Sequence, residues 1–251
     1  MEKIKKAHVL IVGAGSSIKK YEKNIQQFIN NNKIILIGIN HMSNVFVPDY
    51  HFWGSGHRWR KYGKYVNDSS VLIFSPGFPK KLIKKYWDKE YKIYKTDERP
   101  PGYDKREYDN IYKCFKNTAM TAIFWAYQNK ASKISIVGMD GYTYYSEKEL
   151  ELEKFAQHCY GEGFTDGQTY KFGRRKDISY YENLKLLYDF GKKKYGFGFE
   201  IMTPTVFKRF YNSTFLEIKE KYHGREPSME EKKNIKNWEK NRFIKKSKYW
   251  K

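Results

Sequence analysis

Ala7-His-Val-Leu-Ile-Val-Gly-Ala-Gly-Ser-Ser17 is the stretch whose reading decides the fold. Residues 7–13 form a short, β-branched apolar run that ends in glycine, which suits a buried strand better than a helix. The segment beyond Ser17 places apolar side chains at Ile18, Tyr21, Ile25, Phe28 and Ile29, a helical spacing. A second apolar run, Lys33 to Gly38, follows and ends at Ile39-Asn40. Strand, glycine turn, helix and strand in this order predict a right-handed parallel crossover.

The same grammar continues along the chain. Val45–Trp53 is a third strand candidate, interrupted by Pro48, and Val71–Ser75 a fourth, stopped by Pro76-Gly77. Residues 78–112 read as polar, aromatic and basic, with Pro100-Pro101-Gly102 marking a loop. Thr118–Gln128 reads as a helix, Lys133–Gly138 as a strand, Ile178–Lys194 as a long helix and Phe199–Met202 as a last strand. Alternation of strands and helices predicts an α/β fold: a Rossmann-like, mostly parallel sheet with helices on both faces. Residues 1–227 form one domain in this reading. It contains an aperiodic, lid-like segment over about 143–176 and is followed by a basic helical tail, 228–251.

Composition narrows the classes. No apolar run approaches the roughly 18 residues of a membrane span, and the first residues lack the pattern of a secretory signal. Cys114 and Cys159 are the two cysteines, so a disulfide framework is excluded and a reducing, cytoplasmic setting is expected. The formal charge of +21 favours anionic partners. Richness in Lys, Asn, Tyr, Ile and Phe also matches AT-biased coding, so charge alone selects no ligand. In the tail, nine Lys or Arg residues between Lys232 and Lys251 stand against one acid, Glu239, with Trp238, Phe243, Tyr249 and Trp250 interleaved. That pattern suits an anionic membrane surface, peripheral to its inner face, and equally a solvated helix. Nucleic acid is supported only by charge. The reading leaves a homo-oligomer open.

Gly13-x-Gly15-Ser16-Ser17 at a strand–helix junction suits a nucleoside phosphate. Ile18 stands where the dinucleotide fingerprint has its third glycine, and the second strand ends in Asn40 rather than an acid, which disfavours NAD. Asp140 follows a strand and opens a polar turn with Tyr142 and Tyr145, a candidate position for chemistry at a strand's carboxyl end. His51, His57, His158 and Asp166 read as scattered over loops, and no structural metal is expected.

These motifs in their order resemble those of the bacterial sialyltransferase family of the Campylobacter lipooligosaccharide type. The stretches are GAGSS at 13–17, IN at 39–40, Trp53-Gly54-Ser55, Asn117-Thr118-Ala119 and VGMDGY at 137–142, and the resemblance spans residues 7 to about 205. Members of that family open with AGNGPS, carry a strand ending in CN and later show SGxDxY. A related family that includes 6-hydroxymethylpterin pyrophosphokinases shares the GxGPS opening. The resemblance implies a metal-independent, inverting glycosyltransferase, using a CMP-activated sugar as donor, a glycan or glycolipid as acceptor, and no further cofactor. Gly13, Gly15 and Ser16 would then line the nucleotide, Asn40 would contact the cytidine, and Thr118 would match a serine near it. Asp140 and Tyr142 would match SGxDxY, and Tyr145 would assist the leaving phosphate. Two positions depart: Gly54 stands where the family has an asparagine, and Phe172 near where it has its general-base histidine, so either His158 replaces that base, or the acceptor chemistry differs, or the activity is absent. Arg174 and Arg175 could hold a phosphate or a carboxylate sugar. The related family implies instead a Mg²⁺-dependent diphosphotransferase with Asp140 and Asp166 as ligands.

Overall fold

The computed structural model describes residues 4–42, 45–94, 105, 108–109, 117–142, 170–212, 228–230 and 233. Its centre is β1 (His8–Val12), paired in parallel with β2 (Ile34–Ile39) on one side and with β6 (Lys133–Val137) on the other. β1 lies between two parallel neighbours and beneath helices, so its side chains are apolar on both faces; Val9 to Val12 are fully buried. The remaining strands are β3 (Tyr50–Trp53), β4 (Val71–Phe74), β5 (Lys92–Ile93) and β7 (Glu200–Ile201). Together they make a seven-stranded sheet in the order β5-β4-β3-β2-β1-β6-β7, parallel throughout. The α/β, Rossmann-like expectation is met.

The helices differ from the sequence reading in instructive ways. The segment after β1 is broken at Tyr21 into α1 (Ser17–Lys20) and α2 (Glu22–Asn31). The third strand candidate forms only over its second half. Pro48 cannot donate to a ladder, and Asp49 turns its carboxylate back to accept the Leu36 N–H at 2.8 Å. After β3 and β4 come α3 (Gly56–Tyr62) and α4 (Lys80–Lys84), joined by the Trp59 indole N–H donating to the Leu82 carbonyl at 2.8 Å. α5 (Thr118–Gln128) is buried at every position from Ala119 to Tyr127, the signature of a helix covered all round. It packs over β1, β2 and β3 and beneath α6 (Tyr170–Tyr195), which runs for 26 residues.

α6 corrects the lid boundary. Residues 170–176, which read as part of an aperiodic segment, are its first turns. Gly173, Asp177, Tyr181 and Leu184 are buried at helical spacing, a stripe hidden in the sequence by a glycine, a carboxylate and the basic residues between them. His51 is likewise not on a loop: it lies within β3 and is buried. Tyr145, His158, Asp166 and the body of the lid-like segment lie outside the described residues, as does most of the tail. Among the described residues, no helix is long and apolar enough to cross a membrane.

The β1–β6 seam is packed backbone against backbone. A Cβ on Gly13 would stand 2.4 Å from the Gly138 carbonyl oxygen, an atom that cannot swing aside. Gly13→Ala is therefore expected to destabilise the fold by about 1–3 kcal/mol. Gly56→Ala, whose Cβ would meet only the Leu82 side chain at 3.5 Å within a helix, is expected to be neutral or stabilising. Urea unfolding of both variants checks this, and a Gly13→Ala protein as stable as wild type would contradict the seam.

Candidate functional site

In an open parallel sheet, ligands bind outside the carboxyl ends of the strands where the strand order reverses. Here that point lies between β1 and β6, because connections from β1 lead outward to β2 and those from β6 lead outward to β7. Two loops meet there, Gly13–Ser17 after β1 and Gly138–Tyr142 after β6, 123 residues apart in sequence where Ser17 meets Asp140.

Their contact is a ladder of hydrogen bonds. The Gly13 N–H donates to the Val137 carbonyl at 2.8 Å and the Gly15 N–H to the Gly138 carbonyl at 2.9 Å. The Ser17 N–H and hydroxyl then donate to the two carboxylate oxygens of Asp140, at 2.9 and 2.5 Å. The Ser16 hydroxyl approaches the same carboxylate at 3.5 Å. Asp140 is 3% exposed. Burial pushes its carboxyl up to about 6, against the opposing hydrogen bonds from Ser17 and Ser16. Gly15 is required by this arrangement, since a Cβ there would stand 2.5 Å from the Asp140 carboxyl carbon.

This geometry changes the meaning of the glycine turn. Donors that a phosphate would use at the start of α1 are already given to β6 carbonyls and to the chain's own carboxylate. The turn can flank a ligand, but its Gly13, Gly15 and Ser17 N–H groups do not await one. Asp140, chosen from sequence as a candidate for chemistry, is placed as a tether between the loops.

Beside the seam lies a cavity of about 140 Å³. Gly13, Gly15, Asn40, Asp140 and Tyr142, all candidates from the sequence, line it together with Asn117 and Arg58, which were not candidates. The volume is below the ~300 Å³ at which drug-sized pockets begin, so it has room for a fragment of a drug-sized molecule and not the whole. Asn40 has φ of +50°, a left-handed conformation that asparagine tolerates, and its Oδ1 accepts the Gly54 N–H at 3.1 Å. The commitment of Oδ1 leaves the amide nitrogen as the group for a ligand. The His51 imidazole donates through Nε2 to the Asn40 carbonyl, and burial lowers its pKa to about 4, so it is neutral at pH 7.

Ser16, Gly54 and Thr118 are not among the lining residues. A Cβ on Gly54 would stand 2.2 Å from the Thr118 hydroxyl oxygen, so the space an asparagine would need at position 54 is taken by Thr118. Asn117, rather than Thr118, caps α5, accepting the Ala119 N–H at 2.8 Å. Arg58 arrives on the first turn of α3, where the Ser55 hydroxyl accepts its backbone N–H at 3.3 Å. An N-cap serine directly after a strand's carboxyl end was the sequence signal for it.

Tyr142 lines the cavity and is held by α6. Its N–H donates to the buried carboxylate of Asp177 at 2.7 Å, and its ring lies 6.0 Å from that of Tyr180 with the Lys176 ammonium 4.8 Å over it. Burial and a hydrogen bond with the Tyr180 hydroxyl push the Tyr142 phenol well above its ordinary range, so it stays protonated. Among the described residues there is no group of three His, Cys, Asp or Glu side chains placed to share a metal ion. Compared with known proteins, this chain matches no family model and no curated sequence.

The tether carries a pH signature. Asp140 holds its proton more tightly folded, at about 6, than at the ordinary carboxyl value of 3.8. Between those values the native state binds more protons, so stability from this group is greatest in acid and is lost as pH rises through about 6. The stability difference between wild type and Asp140→Asn is expected to shift against wild type by on the order of 2–3 kcal/mol from pH 4 to pH 7, then level off. Denaturant unfolding at a series of pH values measures it; a difference that moves the other way would contradict the burial assigned to Asp140.

Proposed function

We propose that this chain binds a nucleotide-activated sugar in the β1–β6 crevice and transfers the sugar to a glycan or glycolipid hydroxyl without a metal ion. The observation that carries the reading is convergence. Asn40, Asn117, Arg58 and Tyr142, from four separate segments, meet beside the two glycine turns at the topological switch point. The resemblance of those turns to the sialyltransferase family supplies the donor class, a CMP-linked acidic sugar.

In this reading the acceptor hydroxyl oxygen attacks the anomeric carbon from the face opposite the phosphate. The bond from the anomeric carbon to the phosphate oxygen breaks, CMP departs with the electron pair, and the hydroxyl proton passes to a base. Sequence offers His158 as that base. Tyr142, a phenol that keeps its proton, donates a hydrogen bond to the departing phosphate, where negative charge grows. Such a bond strengthens in the transition state and so acts on turnover more than on donor binding. The basic tail would bring the enzyme to an anionic membrane and a lipid-linked acceptor. The rival Mg²⁺-dependent diphosphotransferase would take Asp140 as a ligand, a carboxylate that is buried and already accepts two hydrogen bonds from Ser17.

Thermal unfolding with added nucleotides tests the reading. CMP is expected to raise the unfolding midpoint in the presence of EDTA, since a ligand at 100 times its Kd adds about 2.7 kcal/mol. NAD is expected to do less. Loss of the CMP shift in EDTA, or a larger shift with NAD, would overturn it.

A further inference from the structure

A charged ligand in the crevice needs a counter-charge, and the glycine turn does not supply one. Its Gly13, Gly15 and Ser17 N–H groups are spent within the fold, and α1 is a single turn closed by the Asp140 carboxylate. The nearby imidazoles do not supply it either. Burial lowers His51 and His41 to about 4, and His41 is stacked face to face on Tyr62, 4.0 Å between ring centres.

Among the described residues that line the crevice, Arg58 is the cation. Its place is fixed by its neighbours in sequence: Ser55 caps the turn that carries it, and Trp59 is fully buried with its indole N–H on the Leu82 carbonyl. The guanidinium therefore projects from a helix turn that is held at both ends. Arg58 lines the cavity together with Tyr142 and Tyr180, and its charge is felt at His41 and at the Tyr142 hydroxyl. Tyr142 and Tyr180 line the same cavity, with ring centres 6.0 Å apart. A planar cationic fork in the same cavity as two tyrosine hydroxyls can meet a phosphate with charge-assisted N–H donors beside O–H donors.

We infer that Arg58, lining one cavity with Tyr142 and Tyr180, is an anion seat that takes the phosphate of the crevice ligand in place of the glycine turn. The inference rests on the reading that the crevice holds a nucleotide, but not on which base that nucleotide carries. It makes Arg58 the residue that separates nucleotides from nucleosides, while the Asn40 side of the cavity meets the uncharged portion.

Calorimetric titration at low ionic strength tests the seat, using matched pairs (CMP and cytidine, AMP and adenosine) and orthophosphate. Wild type is expected to bind one nucleotide at least about tenfold more tightly than its nucleoside, as one charge-assisted contact implies. Arg58→Gln is expected to cut that ratio to within about threefold and leave the nucleoside Kd unchanged. Arg58→Lys keeps the charge but not the fork, so it should lower the ratio severalfold; it carries the test alone if Arg58→Gln does not fold. A preference seen with AMP over adenosine, absent with the cytidine pair and lost in Arg58→Gln, upholds the seat while removing CMP from the proposed function. Equal binding of nucleotide and nucleoside to wild type overturns the inference. So does equal weakening of both by Arg58→Gln, a ratio unchanged by the substitutions, or wild-type protein that binds no probe, orthophosphate included.

Discussion

The Asp140 carboxylate, closed on the N–H and hydroxyl of Ser17, is the contact on which the rest of the site depends. A carboxylate this deeply buried is costly unless its oxygens are satisfied, and the first turn after β1 satisfies them. The consequences run outward from that bond. Gly15 has to lack a side chain because the carboxyl group lies against it, and Gly13 has to lack one because the β6 loop does. The β6 loop is held from its other side as well: the Gly138 N–H donates to the Thr203 hydroxyl at 2.9 Å, and the Val206 N–H to the Asp140 carbonyl at 2.9 Å. The crevice is thus a rigid notch between two loops tied at their bases.

Around that notch, the sheet and α5 set the distances. α5 is covered on all sides, so its start, with Asn117 and Ala119, is delivered to the crevice without play. β2 delivers Asn40, held by His51 of β3 and by Gly54 directly after it. α3 delivers Arg58 because Trp59 and Phe74 pack edge to face, 4.9 Å between ring centres, in a separate aromatic cluster that anchors that helix. α6 delivers Tyr180 and, through Asp177, fixes the backbone of Tyr142. Sites built on such packed elements keep their geometry better than sites built on loops alone.

Much of the fold was legible because buried parallel strands are short apolar runs ended by glycine or proline; β1, β4 and β6 follow that rule, and β2 carries its glycine one residue before its end. What stayed hidden was hidden for physical reasons. β5 is a two-residue edge strand with exposed Lys92 and Ile93, too short to show a period. The first turns of α6 bury Gly173 and Asp177 rather than large apolar residues. In the site, the glycine turn and Asp140 were each visible, but not that one satisfies the other across 123 residues, since sequence carries no register between distant loops. The two glycines looked like room for a ligand and proved to be room for a carboxylate and a carbonyl. Arg58 was overlooked because one arginine among many basic residues has no signal until Ser55 is seen to start a helix at the sheet's carboxyl edge.

The central claim is that the β1–β6 crevice is where this protein meets its ligand. Backbone amide spectra of ¹⁵N-labelled protein titrated with CMP address it directly, because each amide reports its own surroundings. The account predicts that the largest shifts fall on Gly13–Ser17, Asn40 and Gly138–Tyr142. Saturable shifts confined to the basic surface of α4 and β5, with the crevice amides unmoved, would contradict it.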